Sequence, residues 1–179
     1  MKQNRLSLYT VDMKLIRNYH NQGDDHVFSV SPQIEKEIRP FVGIVIICDE
    51  IQYCIPLSSP KDKHKTMKNS VDFHKVLDAS GKVIGVLDFN NMVPVREDVL
   101  RKIDVRIHSH DSAAVKHYKN LVVDQINFCQ QNQDIIVTKA NKLYRMVGKK
   151  NTSSQLKKRC LKWDKLEAVL ARYSRSSTP

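Results

Sequence analysis

The chain has 179 residues, 41% of them apolar and 27% charged, with 30 Lys plus Arg against 19 Asp plus Glu, a formal net charge of +11 and a pI near 9.6. That length supports one domain, 1–179, with a real core and argues against two, and no run approaches the roughly 18 uncharged apolar residues of a membrane helix. The basic excess points to a polyanionic partner, nucleic acid first, while saying nothing about the fold.

In chain order, "SLYT" at 7 to 10 is a short strand, and "DMKLIRNYHNQ" after it carries Met13, Leu15, Ile16 and Tyr19 at helical spacing with Asp12 as N-cap. Residues 23 to 40 form a long polar connection of the kind that is often functional. "FVGIVIICDEIQYCIPLSS" is a hairpin, with strands over 41–48 and 52–57 about a turn at Asp49 and Glu50. A second hairpin runs from Phe73–Leu77 to Val83–Phe89 through the turn "DASGK", and "NNMVPV" adds a last short strand edged by Pro94.

From Ser112 the period becomes helical, with Asp111 or Ser112 as cap and Val115, Tyr118, Val122, Gln125 or Ile126 and Cys129 along one stripe. "DIIVTKANKLYRMVGK" is a second helix closed by Gly148, and "LKKRCLKWDKLEAVLARY" a third with Leu161, Leu166, Val169 and Leu170 facing inward. The class is α+β: an antiparallel, strongly bent sheet in residues 1–100, a helical part over 112–173, and a disordered tail over 174–179. The polar start "MKQNRLSLYTVDMK" lacks the apolar core of a signal peptide, so the expected location is cytoplasmic.

Cys48, Cys54, Cys129 and Cys160 show no C-x-x-C spacing, so they read as reduced core residues and no metal is expected; Cys48 and Cys54 are placed to face each other across the hairpin. Among the other histidines, His20, His26, His74, His108, His110 and His117 are dispersed and receive no role. No H-E-x-x-H, paired carboxylate set, P-loop or G-x-S-x-G occurs. Charge concentrates at the C-terminus, where residues 149–179 hold nine basic side chains against Asp164 and Glu167.

"PLSSPKDKHK", residues 56 to 65, admits two compatible readings. One is structural: Ser59 as N-cap, Pro60 at the first helical position, then a short solvated helix. The other is chemical. Pro60 pushes Ser59 to extended geometry, which turns Ser59 and Lys61 to one side. Lys63, Lys65 and Lys68 add charge, and His64 supplies a group whose ordinary pKa of about 6.5 suits proton transfer as acid or base. The set suits a phosphodiester. RNA carries its own nucleophile in the 2′-hydroxyl, so its cleavage needs proton transfer and positive charge around the phosphorane, not a metal.

These residues also carry a resemblance. "LYTVDMKLI" near the start, "RPFVGIVI" at 39–46, "YCIPLSSPKDKHKTMKN" at 53–69 and "GVLDFNNMVPV" at 85–95 are similar, in order and spacing, to the type III toxin–antitoxin endoribonuclease toxins of the ToxN, AbiQ and CptN kind. The likeness spans the first 100 residues, and the helical remainder offers no sharp motif. It implies a highly twisted antiparallel sheet with a barrel-like core, as in MazF and Kid, and flanking helices. It implies metal-independent RNA cleavage leaving a 2′,3′-cyclic phosphate and a 5′-hydroxyl, with no cofactor. It also implies restraint by a repetitive RNA antitoxin that the toxin cuts into pseudoknots, closed toxin–RNA assemblies, and phage abortive infection, with no DNA or membrane partner. The family's serine and lysine fall on Ser59 and Lys61, a neighbouring hydroxyl on Ser58 and the family histidine on His64. The tyrosine that some members carry in the first helix aligns with Leu15, which leaves strand residue Tyr9 as the candidate over Tyr19. RNA contacts are expected from Arg39, Lys63, Lys65, Lys68, Lys157, Lys158 and Arg159.

Two other classes fit parts of the sequence. A non-catalytic RNA- or DNA-binding regulator would need only the charge. A Ser/Lys hydrolase acting on acyl substrates would need an oxyanion turn that the sequence does not display.

Overall fold

The apolar run Phe41–Cys48 is the strand on which the sheet is built. In the computed structural model, which describes residues 3–28 and 41–174, this strand (β2) pairs antiparallel with β3, Ile51–Ser58, so that Ile44 faces Ile55 and Ile46 faces Tyr53. The turn between them places Asp49 and Glu50 at φ 43° and 70°. Two consecutive left-handed residues match the right-handed twist of the flanking strands. β1, Leu8–Val11, joins the other edge of β2.

The second hairpin follows as expected, with β4 over Phe73–Leu77, β5 over Val83–Asp88 and Gly81 at φ 82° in its turn. β6 is Val93–Pro94, and β7, Leu100–Lys102, is an edge strand that the sequence pattern did not disclose.

One edge of β3 is divided between two partners. Tyr53 and Cys54 pair with β6, whereas Leu57 and Ser58 pair with β5. Pro56 falls in the interval between these pairings, where the absent N–H costs no ladder bond on that edge. The strand thus passes from one half of the sheet into the other. The order is β4-β5-β3-β2-β1-β7, with β6 beside β3. β4 and β7 do not pair, so among the described residues the sheet is open, where a barrel-like core was expected; β4 is covered instead by the helix Ala113–Gln131 (α3).

The helices are closed by local chemistry. Asp12 accepts the Lys14 N–H at 2.9 Å and starts α1, Met13–Asn18, which buries Leu15 and Ile16 and runs into a π-turn over Tyr19–Gly23. Tyr19 is buried, its hydroxyl donating to the Pro94 carbonyl at 2.6 Å. Ser112 caps α3 by accepting the Val115 N–H, and Gly148 ends α4, Gln133–Val147. Val122, Gln125 and Cys129 are buried as the stripe predicts, but Val115 and Tyr118 are 40% and 48% exposed. The first turns of α3 therefore lie outside the packed interface.

The third helix is two. α5, Ser154–Arg159, and α6, Trp163–Arg172, are separated because the intervening N–H groups are taken elsewhere. Leu161 N–H donates to the Asn90 carbonyl at 3.0 Å and Lys162 N–H to Asp24 Oδ2 at 2.9 Å. All four cysteines are free and buried. Cys48 opposes Ile51 and Cys54 opposes Val45, so the two do not face each other across the hairpin. No helix among the described residues is long and apolar enough to cross a membrane. Arg39 and the tail from Arg175 onward lie outside the described residues.

Asp24 makes the fold sensitive to acid. It is 4% exposed and accepts from the His26 N–H at 3.0 Å, the His26 ring at 3.0 Å and Lys162 N–H. Burial alone would raise its carboxyl; the backbone donors and the His26 ring outweigh that and hold it below the usual value. A depressed folded pKa contributes stability above the unfolded carboxyl value, lost as pH falls through the folded one. Asp24→Ala should therefore cost about 1–3 kcal/mol at neutral pH, because the part-buried His26 and Lys162 N–H groups lose their acceptor. Urea unfolding along a descending pH series checks this: the gap between variant and parent should narrow as the pH falls below the usual carboxylate range.

Candidate functional site

The site begins where β3 ends. Ser58 is the last strand residue, opposite Val86, and the chain continues through Ser59 and Pro60 into α2, Asp62–Thr66. The N-cap is Lys61, not Ser59 as the sequence suggested. Its backbone is extended, at φ −100° and ψ 163°, so the helix starts after it. The reason lies in His64: the Lys61 N–H donates to His64 Nδ1 at 3.0 Å, and the His64 N–H donates to the Lys61 carbonyl at 2.9 Å. The cap is thus fixed by an imidazole three residues on.

His64 is 8% exposed, with its ring 5.3 Å from that of Phe73. Because Nδ1 accepts, the neutral ring carries its proton on Nε2. The Lys61 side chain is exposed, and its ammonium makes no hydrogen bond or ion pair among the described residues; its charge acts on Asp88.

Ser58 donates to Asp88 Oδ2 at 2.9 Å. Asp88 is the last residue of β5, opposite Phe73, and half-buried. Burial pushes its carboxyl above the usual value; the Ser58 hydroxyl, His64, Lys63 and Lys61 pull it down without cancelling that effect. Ser58, Lys61, Lys63, His64 and Asp88 therefore share one neighbourhood. Ser59 is exposed at its lip, with no partner for its hydroxyl among the described residues.

Asp88 is the site residue that sequence reasoning missed. It lies within the strand expected over Val83–Phe89, where its sequence neighbours give no sign that Ser58 is its partner.

The basic side chains divide into free and engaged groups. Lys63 and Lys68 are exposed, whereas Lys65 pairs with Asp62 at 2.8 Å. Arg159 from α5 pairs with Asp72 at 2.9 Å, and Asp72 also accepts from Ser70 at 2.7 Å. Asn90 donates to the Arg159 carbonyl at 3.0 Å. These bonds tie the C-terminal basic helix to residues 70–90, the stretch that carries Phe73 and Asp88. Lys158 is exposed beside Arg159, and the Lys157 ammonium lies 3.5 Å from the Lys150 carbonyl.

Lys139 of α4 was not singled out by the sequence. It donates to the Phe73 carbonyl at 3.2 Å, lies 3.0 Å from His74 Nδ1 and sits 5.6 Å from the centre of the Phe89 ring. Burial lowers Lys139, and burial together with the Lys139 charge pushes His74 down to about 4.

Tyr9 lies elsewhere on the sheet. It lines an open groove of about 260 Å³ with Gln3, Arg5, Gln52 and Glu97, and none of Ser58 to Lys68 contributes to that lining. Its row runs Tyr9, Gly43, Pro56, two residues short of Ser58.

The comparisons agree with this architecture. An endoribonuclease ToxN of Bacillus thuringiensis subsp. kurstaki is 35% identical over 143 residues, covering 78% of this chain and 71% of that protein. The endoribonuclease AbiQ of Lactococcus lactis subsp. lactis is 28% identical over 153 residues, 82% of this chain and 79% of its own. A solved structure described as selective toxin inhibition by a non-coding RNA pseudoknot superposes with TM-score 0.76 at 27% identity, covering 95% of this chain and 98% of the other. The family model described as toxin ToxN, type III toxin-antitoxin system, matches residues 7–171, and with that match over nearly the whole chain the protein belongs to the ToxN toxin family.

Proposed function

We propose that this endoribonuclease toxin cuts RNA without a metal, by attack of a ribose 2′-hydroxyl on the adjacent phosphate, leaving a 2′,3′-cyclic phosphate and a 5′-hydroxyl. The observation that carries the reading is the Lys61 ammonium, free of hydrogen bonds and ion pairs among the described residues, on a peptide clamped by His64 and close enough to Asp88 for its charge to act there, with Ser58 bonded to the same carboxylate. A fixed positive charge in that position stabilises the phosphorane more than the ground-state diester. Ser59, with an uncommitted hydroxyl, hydrogen-bonds the scissile phosphate. His64 holds Lys61 and presents Nε2–H. Tyr9, across the sheet, and Lys63, Lys65, Lys68, Lys157, Lys158, Arg159 and Arg39 serve the flanking RNA, mainly through phosphates.

The relatives supply the setting. A solved relative is described as selectively inhibited by a non-coding RNA pseudoknot, and here the partner is read as a repetitive RNA antitoxin that the toxin processes and that then occupies the same site, in a closed toxin–RNA assembly. Phage abortive infection is the biological role, in the cytoplasm, and the single bent-sheet unit is read as akin to the MazF and Kid cores, supported by the way β3 changes partners along its length.

Incubating the purified protein with long RNA in EDTA tests the reading. Fragments with cyclic phosphate and 5′-hydroxyl ends are expected. RNA that is bound but stays intact would leave a basic RNA-binding regulator in place of a nuclease. Affinity should fall steeply with salt, since counterion release dominates phosphate contacts.

A further inference from the structure

The geometry points to Asp88 as a positioning residue that, through Ser58, selects the ribose 2′-hydroxyl and receives its proton. This deepens the proposed cleavage and rests on it. A serine hydroxyl has one proton and two lone pairs. The Ser58 proton is committed to Asp88 Oδ2 at 2.9 Å, so toward a ligand the Ser58 oxygen offers lone pairs only. Phosphate oxygens are acceptors and cannot use them. A 2′-hydroxyl is a donor and can, which also distinguishes RNA from DNA at this position.

His64 is not available for the same task. Its Nδ1 is occupied by the Lys61 N–H, and the neutral ring then has its proton on Nε2, so neither nitrogen turns a lone pair toward the ligand. Protonating Nδ1 would break the bond that positions Lys61. Asp88 has no such conflict. Among the described residues, the charged and titratable groups that act on it are Lys61 from the connection and Lys63 and His64 from α2; Ser58 from β3 donates to it, and its β4 neighbour, Phe73, does not titrate.

The step balances as follows. The 2′-oxygen gives its proton to Ser58 Oγ as the Ser58 proton moves to Asp88 Oδ2. The bond from the 2′-oxygen to phosphorus forms and the bond from phosphorus to the 5′-oxygen breaks. The departing 5′-oxygen keeps the electron pair and takes a proton from water, and Asp88 returns its proton to the hydroxide so formed.

Asp88→Asn is the discriminating variant, because its amide oxygen still accepts from Ser58 while its capacity to take a proton is gone. With long RNA in EDTA, the single-turnover rate should fall about 100-fold or more. RNA affinity should hold, and the acid side of the rate–pH profile should flatten. Ser58→Ala should give the same loss and the same flattening, and the double variant should lose no more than either single one. A parental rate and profile for Asp88→Asn, or losses that multiply, would overturn the assignment. If circular dichroism shows Asp88→Asn unfolded, the exposed Ser58→Ala decides alone, and an unaltered profile there sinks the relay. Parent protein that leaves RNA intact would instead overturn the nuclease reading itself.

Discussion

Lys61→Ala should abolish measurable cleavage, a loss of about 100- to 1,000-fold or more, while RNA binding persists. The two effects separate because the Lys61 main chain is held independently of its side chain. Its N–H and carbonyl both bond to His64, so truncation beyond Cβ leaves the start of α2 in place. What disappears is one ammonium that makes no hydrogen bond or ion pair among the described residues and whose charge acts on the Ser58–Asp88 pair. In the proposed mode binding spreads over many phosphates, so losing one contact should reduce the salt slope by about one unit without abolishing association. Filter binding alongside single-turnover cleavage checks this. An equal fall in both would make Lys61 a binding residue and move the transition-state charge to another lysine, with Lys63 next in line.

Gly43→Ala should be the most damaging small substitution in the sheet. A Cβ at this position would lie 2.1 Å from the Ile55 carbonyl oxygen and 2.7 Å from Cys54 Sγ. The first contact is with backbone of the central β2–β3 pairing, which cannot swing aside as a side-chain tip can. Overpacking of this kind costs about 3 kcal/mol or more when backbone must move. The same strand pair delivers Ser58 to the site, so cleavage should fall with stability. Urea unfolding should show a lowered midpoint with an unchanged slope; an unaltered midpoint would mean that the strands already have room for a methyl group.

Both hairpins were legible because their signals are local. The apolar run 41–48, the turn at Asp49 and Glu50, and Gly81 in "DASGK" each act within a few residues, as do the caps Asp12, Ser112 and Gly148. The grouping of Ser58, Lys61 and His64 was legible for the same reason, being contiguous. Even there the sequence misplaced the helix start, because serine and proline favour a cap at Ser59 and only coordinates show an imidazole taking the Lys61 N–H.

The rest was decided by partners remote in sequence. Asp88 meets Ser58 across 30 residues through the β3–β5 pairing, and Asp24 interrupts the last helix across 138 residues by accepting the Lys162 N–H. Arg159, expected at the RNA surface, pairs with Asp72, and Lys139, to which the sequence assigned no role, lies beside His74. By itself the sequence determined both hairpins, the caps Asp12, Ser112 and Gly148, and that the chain is basic, since those follow from dihedral preference, periodicity and charge count. Only the tertiary structure decided which lysines stay free and which carboxylate faces the serine, because a buried polar group takes whichever partner packing brings within hydrogen-bond distance.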